Sequence, residues 1–289
     1  MEANVLTTVL LPLVIGTIMF GLGLHLRTDD FRRVLRTPRP VFIGLLTQLL
    51  VLPPIAFALC LVFALPAEIA VGFMLLVASP GGATANVFSH LARGDVALNI
   101  TLTALNSVLI LLTLPLIVGW SMAYFLAEQG QIPAPTRKVI EVAVIILLPV
   151  AIGMLVRGLA DRIADRLERW VKPLSLITLL ALIVITVARE WNLIMTHAAM
   201  LGLACLLLSV LSLSIGYGTG RLLRLDARQS IAIAFEIGIH NTTLAIFIAL
   251  SVLKLPALSV PAAIYSLVMY FTAGAAAWWF VRGTTKKMR

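Results

Sequence analysis

A carboxylate, an imidazole, an amide and two hydroxyls fall close together in one apolar run: Glu236, His240, Asn241, Thr242 and Thr243, inside Ser230-Ile-Ala-Ile-Ala-Phe-Glu-Ile-Gly-Ile-His-Asn-Thr-Thr-Leu-Ala-Ile-Phe-Ile-Ala-Leu250. An ionised carboxylate at bilayer depth costs at least about 2.5–3.5 kcal/mol, so something must compensate Glu236. Gly238 weakens the helix at the same point. One negative charge among hydroxyl and amide oxygens, beside carbonyls freed by an unwound helix, is the donor set of a monovalent cation site. The segment therefore reads as a broken membrane helix that binds a cation.

A second polar interruption, Ser79-Pro-Gly-Gly-Ala-Thr-Ala-Asn-Val87, places Thr84 and Asn86 just after a proline and two glycines. Proline removes a backbone donor and the glycines lower helix preference, so backbone groups are freed here too. Such backbone survives at membrane depth only where it lines protein or a cavity. Other polar residues inside apolar runs are few. Gln48 sits in Gly44-Leu-Leu-Thr-Gln-Leu-Leu-Val51, while Asn99, Thr103 and Asn106 share one helical stripe. Taken singly, Thr47, Asn106 and Ser107 read as interhelical glue, as do the serines at 209, 212 and 214. His240 is open to three roles: a ligand in the cation site, a proton acceptor coupling transport to pH, or a partner for a freed carbonyl. His25, His90 and His197 lie at span ends and read as structural. No phosphate loop, nucleophile elbow or Cys/His metal spacing occurs, and an intramembrane hydrolase built on Glu236 and His240 is a remote alternative.

The elements that must position these groups are membrane helices. The 289 residues are 61% hydrophobic and 12% charged, well outside the soluble globular range. Spans of about 20 apolar residues are expected near 5–25, 40–64, 68–91, 96–125, 138–157, 173–190, 198–221, 230–251 and 257–281, nine in all. The net charge of +9 lies in short loops rather than on one face or arm, so it speaks for orientation and not for a nucleic-acid partner. Arg27, Arg32, Arg33, Arg36 and Arg39 follow span one, and Arg93 follows span three. Arg157, Arg162, Arg166, Arg169 and Lys172 follow span five, and Arg221, Arg224 and Arg228 follow span seven. Arg282, Lys286, Lys287 and Arg289 end the chain, against Arg137, Lys138, Arg189 and Lys254 on the other side. The amino terminus is expected outside and the carboxyl terminus in the cytoplasm of an inner-membrane protein. Asp161, Asp165 and Glu168 read as a solvated loop. Cys60 and Cys205 lie within apolar runs and read as packing residues, and the opening run reads as a first span rather than a cleaved signal. The two interrupted spans are third and eighth, so they cross in opposite directions, as in an inverted repeat whose paired breaks mark the binding site. The first repeat is one helix short.

At Ser79–Val87, at Leu91-Ala-Arg-Gly-Asp-Val-Ala-Leu98, at Phe235-Glu-Ile-Gly-Ile-His-Asn-Thr-Thr-Leu-Ala245 and at Met19-Phe-Gly-Leu-Gly-Leu-His-Leu-Arg27, the chain resembles the bile acid:sodium symporter family. The resemblance implies an all-α polytopic membrane protein with two crossed discontinuous helices. Residues 1–38 and 133–196 would form a panel (helices 1, 5 and 6), and 39–132 with 197–289 a core (helices 2–4 and 7–9). Bacterial relatives with ten helices would have one more at the start. The first sodium site would comprise Asn86, Asn99, Thr103 and Glu236. The second would comprise Gln48, Glu236, the carbonyls of Ile237 and Ile239, and the His240 side chain. Thr84 and Asn241 would meet the substrate. The chain departs from the family pattern at Ala85, commonly serine, at His240, commonly glutamine, and at Met269 and Tyr270, which align with a His-Asn pair of bile-acid-transporting relatives. The function implied is sodium-coupled symport of an organic anion, bile-acid-like or smaller, by alternating access. No enzymatic activity and no cofactor beyond the coupling ions are expected, and a monomer is compatible with the reading. Proton-coupled symport through Glu236 and His240, passive facilitation of an anion, and a non-transporting receptor are the alternatives.

Overall fold

A computed structural model describes residues 11–126 and 136–286. The start of the expected first span (5–10), the connection at 127–135, and Lys287 and Arg289 of the tail lie outside the described residues. In lipid every backbone polar group must be satisfied within the chain, and the apolar runs answer this by coiling. The helices are α1 (Leu11–His25), α2 (Thr28–Arg36), α3 (Pro38–Leu46), α4 (Leu52–Val62), α5 (Ala67–Ala78), α6 (Ala83–Leu91) and α7 (Val96–Phe125). They continue with α8 (Thr136–Leu159), α9 (Asp161–Arg189), α10 (Trp191–Leu222), α11 (Ala227–Gly238), α12 (Thr242–Phe247) and α13 (Val260–Lys286). The protein is an all-α integral membrane protein. Among the described residues, Pro38–Val62, Trp191–Leu222 and Pro256–Arg282 are each long and apolar enough to cross a membrane, and Val96–Phe125 is a fourth if its 58° bend lies within one span.

Four irregularities trace to proline or glycine. A π-helical turn, Thr47–Val51, joins α3 to α4 just ahead of Pro53 and Pro54. Each of these prolines lacks an N–H and would clash with the carbonyl four residues back, and the wider turn accommodates both. It also sets Gln48, on that turn, into the interior. The bend of α7 falls just ahead of Pro115. The α5–α6 break spans Ser79-Pro80-Gly81-Gly82, and the α11–α12 break follows Gly238.

Elsewhere helix ends close sharply. Ala64, Arg93 and Arg224 adopt left-handed backbone with φ of 45°, 60° and 59°. Each is followed by the same six-residue hydrogen bond back into its helix: Leu65 N–H to Cys60, Gly94 N–H to Ser89 and Leu225 N–H to Gly220. Asp95 and Asp226 then cap α7 and α11, accepting from the amides of Leu98 (3.0 Å) and Gln229 (2.8 Å). These caps start the helix that carries Asn99 and Thr103 and the helix that carries Glu236.

Three expectations need correction. Asp161, Asp165 and Glu168 do not lie in a loop: α9 begins at Asp161 and carries all three on its first turns, ahead of Pro173. Hydropathy falls there because the residues are charged, yet they are helical, and Arg157 at the end of α8 pairs with each of them across the break at Ala160. In the same way α10 begins at Trp191, ahead of the expected 198, and the basic stretch after α1 is itself helical as α2.

Packing is close where glycines allow it. A Cβ on Gly23 of α1 would strike the Val150 carbonyl of α8, and one on Gly153 of α8 would strike the Phe20 carbonyl, so the two helices meet backbone to backbone. The interior is filled by Phe73, Phe235, Phe247 and Tyr265, whereas Leu112, Leu116, Val184 and Phe271 face outward. An apolar exterior is what a lipid-facing surface requires.

Candidate functional site

The two breaks meet. Gly81 and His240 form an antiparallel backbone bridge. Beside it the Asn241 amide donates to the Pro80 carbonyl (2.9 Å), and Nδ1 of His240 lies 3.3 Å from the Ser79 carbonyl. The freed groups thus satisfy one another across the crossing, as buried backbone demands. The Tyr265 hydroxyl adds a bond to the Gly238 carbonyl (2.8 Å), and Asn241 caps α12 by accepting from the Leu244 amide (3.1 Å).

Glu236 lies in the last turn of α11 against this crossing and is buried. Thr103 of α7 donates to its Oε2 (2.6 Å), and Asn106, one turn further along α7, donates through Nδ2 to its Oε1 (3.0 Å). On another side is the Gly81 backbone, packed so closely that a Cβ there would stand 2.6 Å from the carboxyl carbon and from both oxygens. Glycine at 81 is therefore a requirement of space. Asn99 donates through Nδ2 to the Ala232 carbonyl (2.7 Å), one turn before Glu236, and Gln48 through Nε2 to the Val77 carbonyl (3.3 Å).

Gln48, Asn99 and Asn106 share a pattern. Each spends its NH2 on an oxygen that can only accept, and each leaves its own side-chain oxygen buried without a protein partner; Oδ1 of Asn86 is in the same state. A buried acceptor left unpaired is expensive, and several near one carboxylate form an environment suited to a positive guest. Among the described residues no group of three or more His, Cys, Asp or Glu side chains gathers as a transition-metal site would. The donors here are hard oxygens.

Two spaces adjoin the crossing. A void of about 10 Å³ is lined by Gln48, Val77, Ala78, Pro80 and Asn106, among others. A larger cavity of about 550 Å³ opens between α1 and α9 on one side and the crossing with α13 on the other. Its apolar wall includes Met19, Leu22, Val171 and Leu179; its polar wall includes Thr84, Asn86, His240, Asn241 and Tyr270. Met269 also reaches it. His25 lies at its edge, with Nδ1 2.8 Å from the Gly21 carbonyl and Nε2 2.9 Å from Glu168.

The structure thus brings Thr103 and Glu236 into direct contact, holds Asn99 one turn away, and sets Asn86 in the wall of the large cavity. Gln48 and His240, assigned by resemblance to one site, line different spaces. Ile237 and Ile239 flank Gly238 at the end of α11, where the last carbonyls lack partners within the helix. Sequence reasoning passed over Asn106, although its stripe with Asn99 and Thr103 was the available signal. It also missed Tyr265, for which nothing in the surrounding sequence speaks.

The profile of the sodium bile acid symporter family matches residues 12–197. The chain belongs to that family. It is 29% identical over 257 residues to the uncharacterized sodium-dependent transporter YocS of Bacillus subtilis, covering 89% of this chain and 78% of that protein. It is 29% identical over 244 residues to the P3 protein of Mus musculus, and 28% over 249 residues to the probable sodium/metabolite cotransporter BASS1, chloroplastic, of Arabidopsis thaliana. Those matches cover 84% and 86% of this chain but only 51% and 61% of the two longer relatives. The family is one of transporters, not of enzymes.

Proposed function

We propose that this protein is a secondary active symporter that couples sodium entry to the uptake of an organic anion by alternating access. The observation that carries the reading is the state of Glu236: a buried carboxylate met by neutral donors, beside amide oxygens that lack partners. Sodium would supply the missing positive charge. The relatives named for sodium-dependent transport and sodium/metabolite cotransport support the same ion.

In this reading Asn86, Asn99, Thr103 and Glu236 hold one sodium ion, and Gln48, Glu236, the carbonyls of Ile237 and Ile239, and His240 supply the second set. Binding would stiffen the crossed breaks and so fix Thr84 and Asn241 for the anion in the large cavity, whose volume lies in the ordinary range for small-molecule sites. No lysine or arginine lines that cavity among the described residues, so the anion's charge would be met by the bound ions and by polar groups of the crossing. Two sodium ions with a monovalent anion carry one net charge, and the membrane potential would drive the step by about 2.3 kcal/mol per 100 mV.

The panel (1–38 and 133–196) and core (39–132 and 197–289) of a nine-span inverted repeat would move against each other, with the cavity between them. The distribution of lysine and arginine supports an inner-membrane orientation with the amino terminus outside and the carboxyl terminus in the cytoplasm.

The test is uptake of labelled carboxylates into liposomes holding purified protein, under sodium and proton gradients applied separately. Uptake driven by the sodium gradient, and stimulated by an interior-negative potential, is expected. Uptake driven only by protons would transfer the coupling to Glu236 and His240, and uptake without any gradient would make the protein a facilitator.

A further inference from the structure

Of the three side chains assigned to the second cation site, Gln48 and His240 face different spaces, and the difference can be read from their hydrogen bonds. Gln48 is fixed by the Val77 carbonyl, which can only accept, so its NH2 turns there and its Oε1 turns away, buried and unpartnered. Asn106 is fixed in the same way by the Glu236 carboxylate, and its Oδ1 is likewise buried and unpartnered. Neither amide can flip without setting an oxygen against an oxygen. Both residues line the void of about 10 Å³, room for one body the size of a water molecule. Neither His240 nor Glu236 lines that void, but Glu236 is tied to its wall through Asn106 whereas His240 is not. The Nδ1 of His240 is engaged by the Ser79 carbonyl, and its Nε2 is unpartnered and itself buried, on a residue that forms the large cavity's wall with Thr84, Asn241 and Tyr270, so a partner reaches it only as that wall shifts.

We propose that Asn106, not His240, completes the second cation site with Gln48, and that His240 serves the substrate instead. With Nδ1 donating to Ser79, Nε2 is an acceptor. A bare carboxylate offers it nothing, and an anion that also carries a hydroxyl or an amide N–H pairs with it. The second site is thereby drawn toward the π-helical turn of α3–α4 and the α7 stripe, and the change from the family's glutamine to His240 alters substrate choice rather than ion choice. The inference rests on the sodium-coupled reading above and reassigns one member of its second site.

The experiment is thermal unfolding of the full-length protein in detergent against increasing sodium chloride, with choline chloride holding ionic strength constant. Specific binding raises the melting temperature by mass action. Asn106→Ala and Gln48→Ala are each expected to raise the half-saturating sodium concentration about tenfold, and the double variant by little more, because the residues share one ion. Asn106→Ser, which keeps an oxygen, should recover part of the loss. His240→Ala should leave the half-saturating sodium concentration within about twofold of the parent while weakening uptake of hydroxylated carboxylates in liposomes more than that of their deoxy analogues.

A sodium shift in His240→Ala equal to that of Gln48→Ala overturns the proposal, as does an unchanged response in both amide variants, which would mean that the void holds only water. If Asn106→Ala does not yield folded protein, the contrast between Gln48→Ala and His240→Ala decides alone. A parent protein with no sodium response removes the sodium reading and this proposal together, whereas a responsive parent with unresponsive amide positions removes this proposal only.

Discussion

Glu236 and Arg157 are both buried charges, 1% and 6% exposed, and the chain treats them in opposite ways. Arg157, at the end of α8, has every guanidinium nitrogen engaged. Nε donates to the Leu24 carbonyl (2.6 Å), Nη1 to Asp165 (2.6 Å) and Asp161 (3.4 Å), and Nη2 to Glu168 (2.8 Å), whose other oxygen meets His25. Glu236 meets only neutral partners, the Thr103 and Asn106 side chains and the Gly81 backbone, and among the described residues no cation lies within ion-pair distance of it. A charge compensated by fixed opposite charges is a structural tie, here binding the end of α1 to α8 and α9. One left among neutral donors and spare oxygens is prepared for a mobile ion.

The sharpest way to break this contrast is to neutralise each charge in turn. Glu236→Gln retains the shape of the side chain and removes the charge that a cation would need. Sodium-driven uptake is expected to fall to background and the sodium-dependent rise in melting temperature to vanish, while the protein still elutes as a folded species. Uptake that persisted at the parent rate would leave the carboxylate structural and the contrast empty. Arg157→Leu should do the reverse. It takes the guanidinium away from the partly buried Glu168, and the expected loss of stability is about 3 kcal/mol, the lower end for a broken buried pair because Asp161 and Asp165 stay in water. Chemical denaturation measures it, and the half-saturating sodium concentration of the folded fraction should not move.

Gly81→Ala tests whether the carboxylate depends on the space around it. The new Cβ would lie 2.6 Å from the carboxyl group, so Glu236 or the break must shift. Overpacking of this kind costs about 1–3 kcal/mol, and the expected sign of a functional site is a sodium response weakened beyond what that loss explains. Gly153→Ala, which crowds α8 against α1 away from the crossing, is the control: it should destabilise without altering the sodium response.

The two regions also differ in how far the sequence revealed them. Glu236 was legible because a carboxylate in an apolar run violates the energetics of its surroundings, and the proline-glycine break was legible because those residues cannot continue a helix. The meeting of Gly81 with His240 followed only from topology, by analogy with paired interrupted helices. Asn106 could be placed on the correct stripe but not given a partner, since a single amide in a membrane helix is ordinarily glue. The Arg157 cluster was read in part: Asp161 and Asp165 are solvated as expected, but they stand on a helix and pair with Arg157, and charged residues lower hydropathy whether they are solvated or paired. On one continuous helix residues eight and eleven apart would stand about 12 and 16 Å from each other, so the pairing depends on the break at Ala160 that turns α9 back on α8, which nothing in the sequence marks. The sorting of Gln48 and His240 into different spaces depends on side-chain orientation, which composition and periodicity do not encode.

The smallest expected effect belongs to the exposed rim of the structural tie. The hydrogen bond from Arg157 holds the Asp165 carboxyl below the usual carboxylate range. A carboxyl whose folded value is depressed contributes stability above its unfolded value and loses it as pH falls through the folded one. Asp165 is 62% exposed, so water and salt screen the pair and the contribution is small. Melting temperatures of the parent and of Asp165→Asn, measured from about pH 6 down to about pH 3, should converge as the carboxyl protonates. The sodium response should be the same in both proteins wherever they remain folded. A variant that differed from its parent only at low pH would reverse the sign, and one that altered the sodium response at pH 6 would join the two regions that the structure keeps apart.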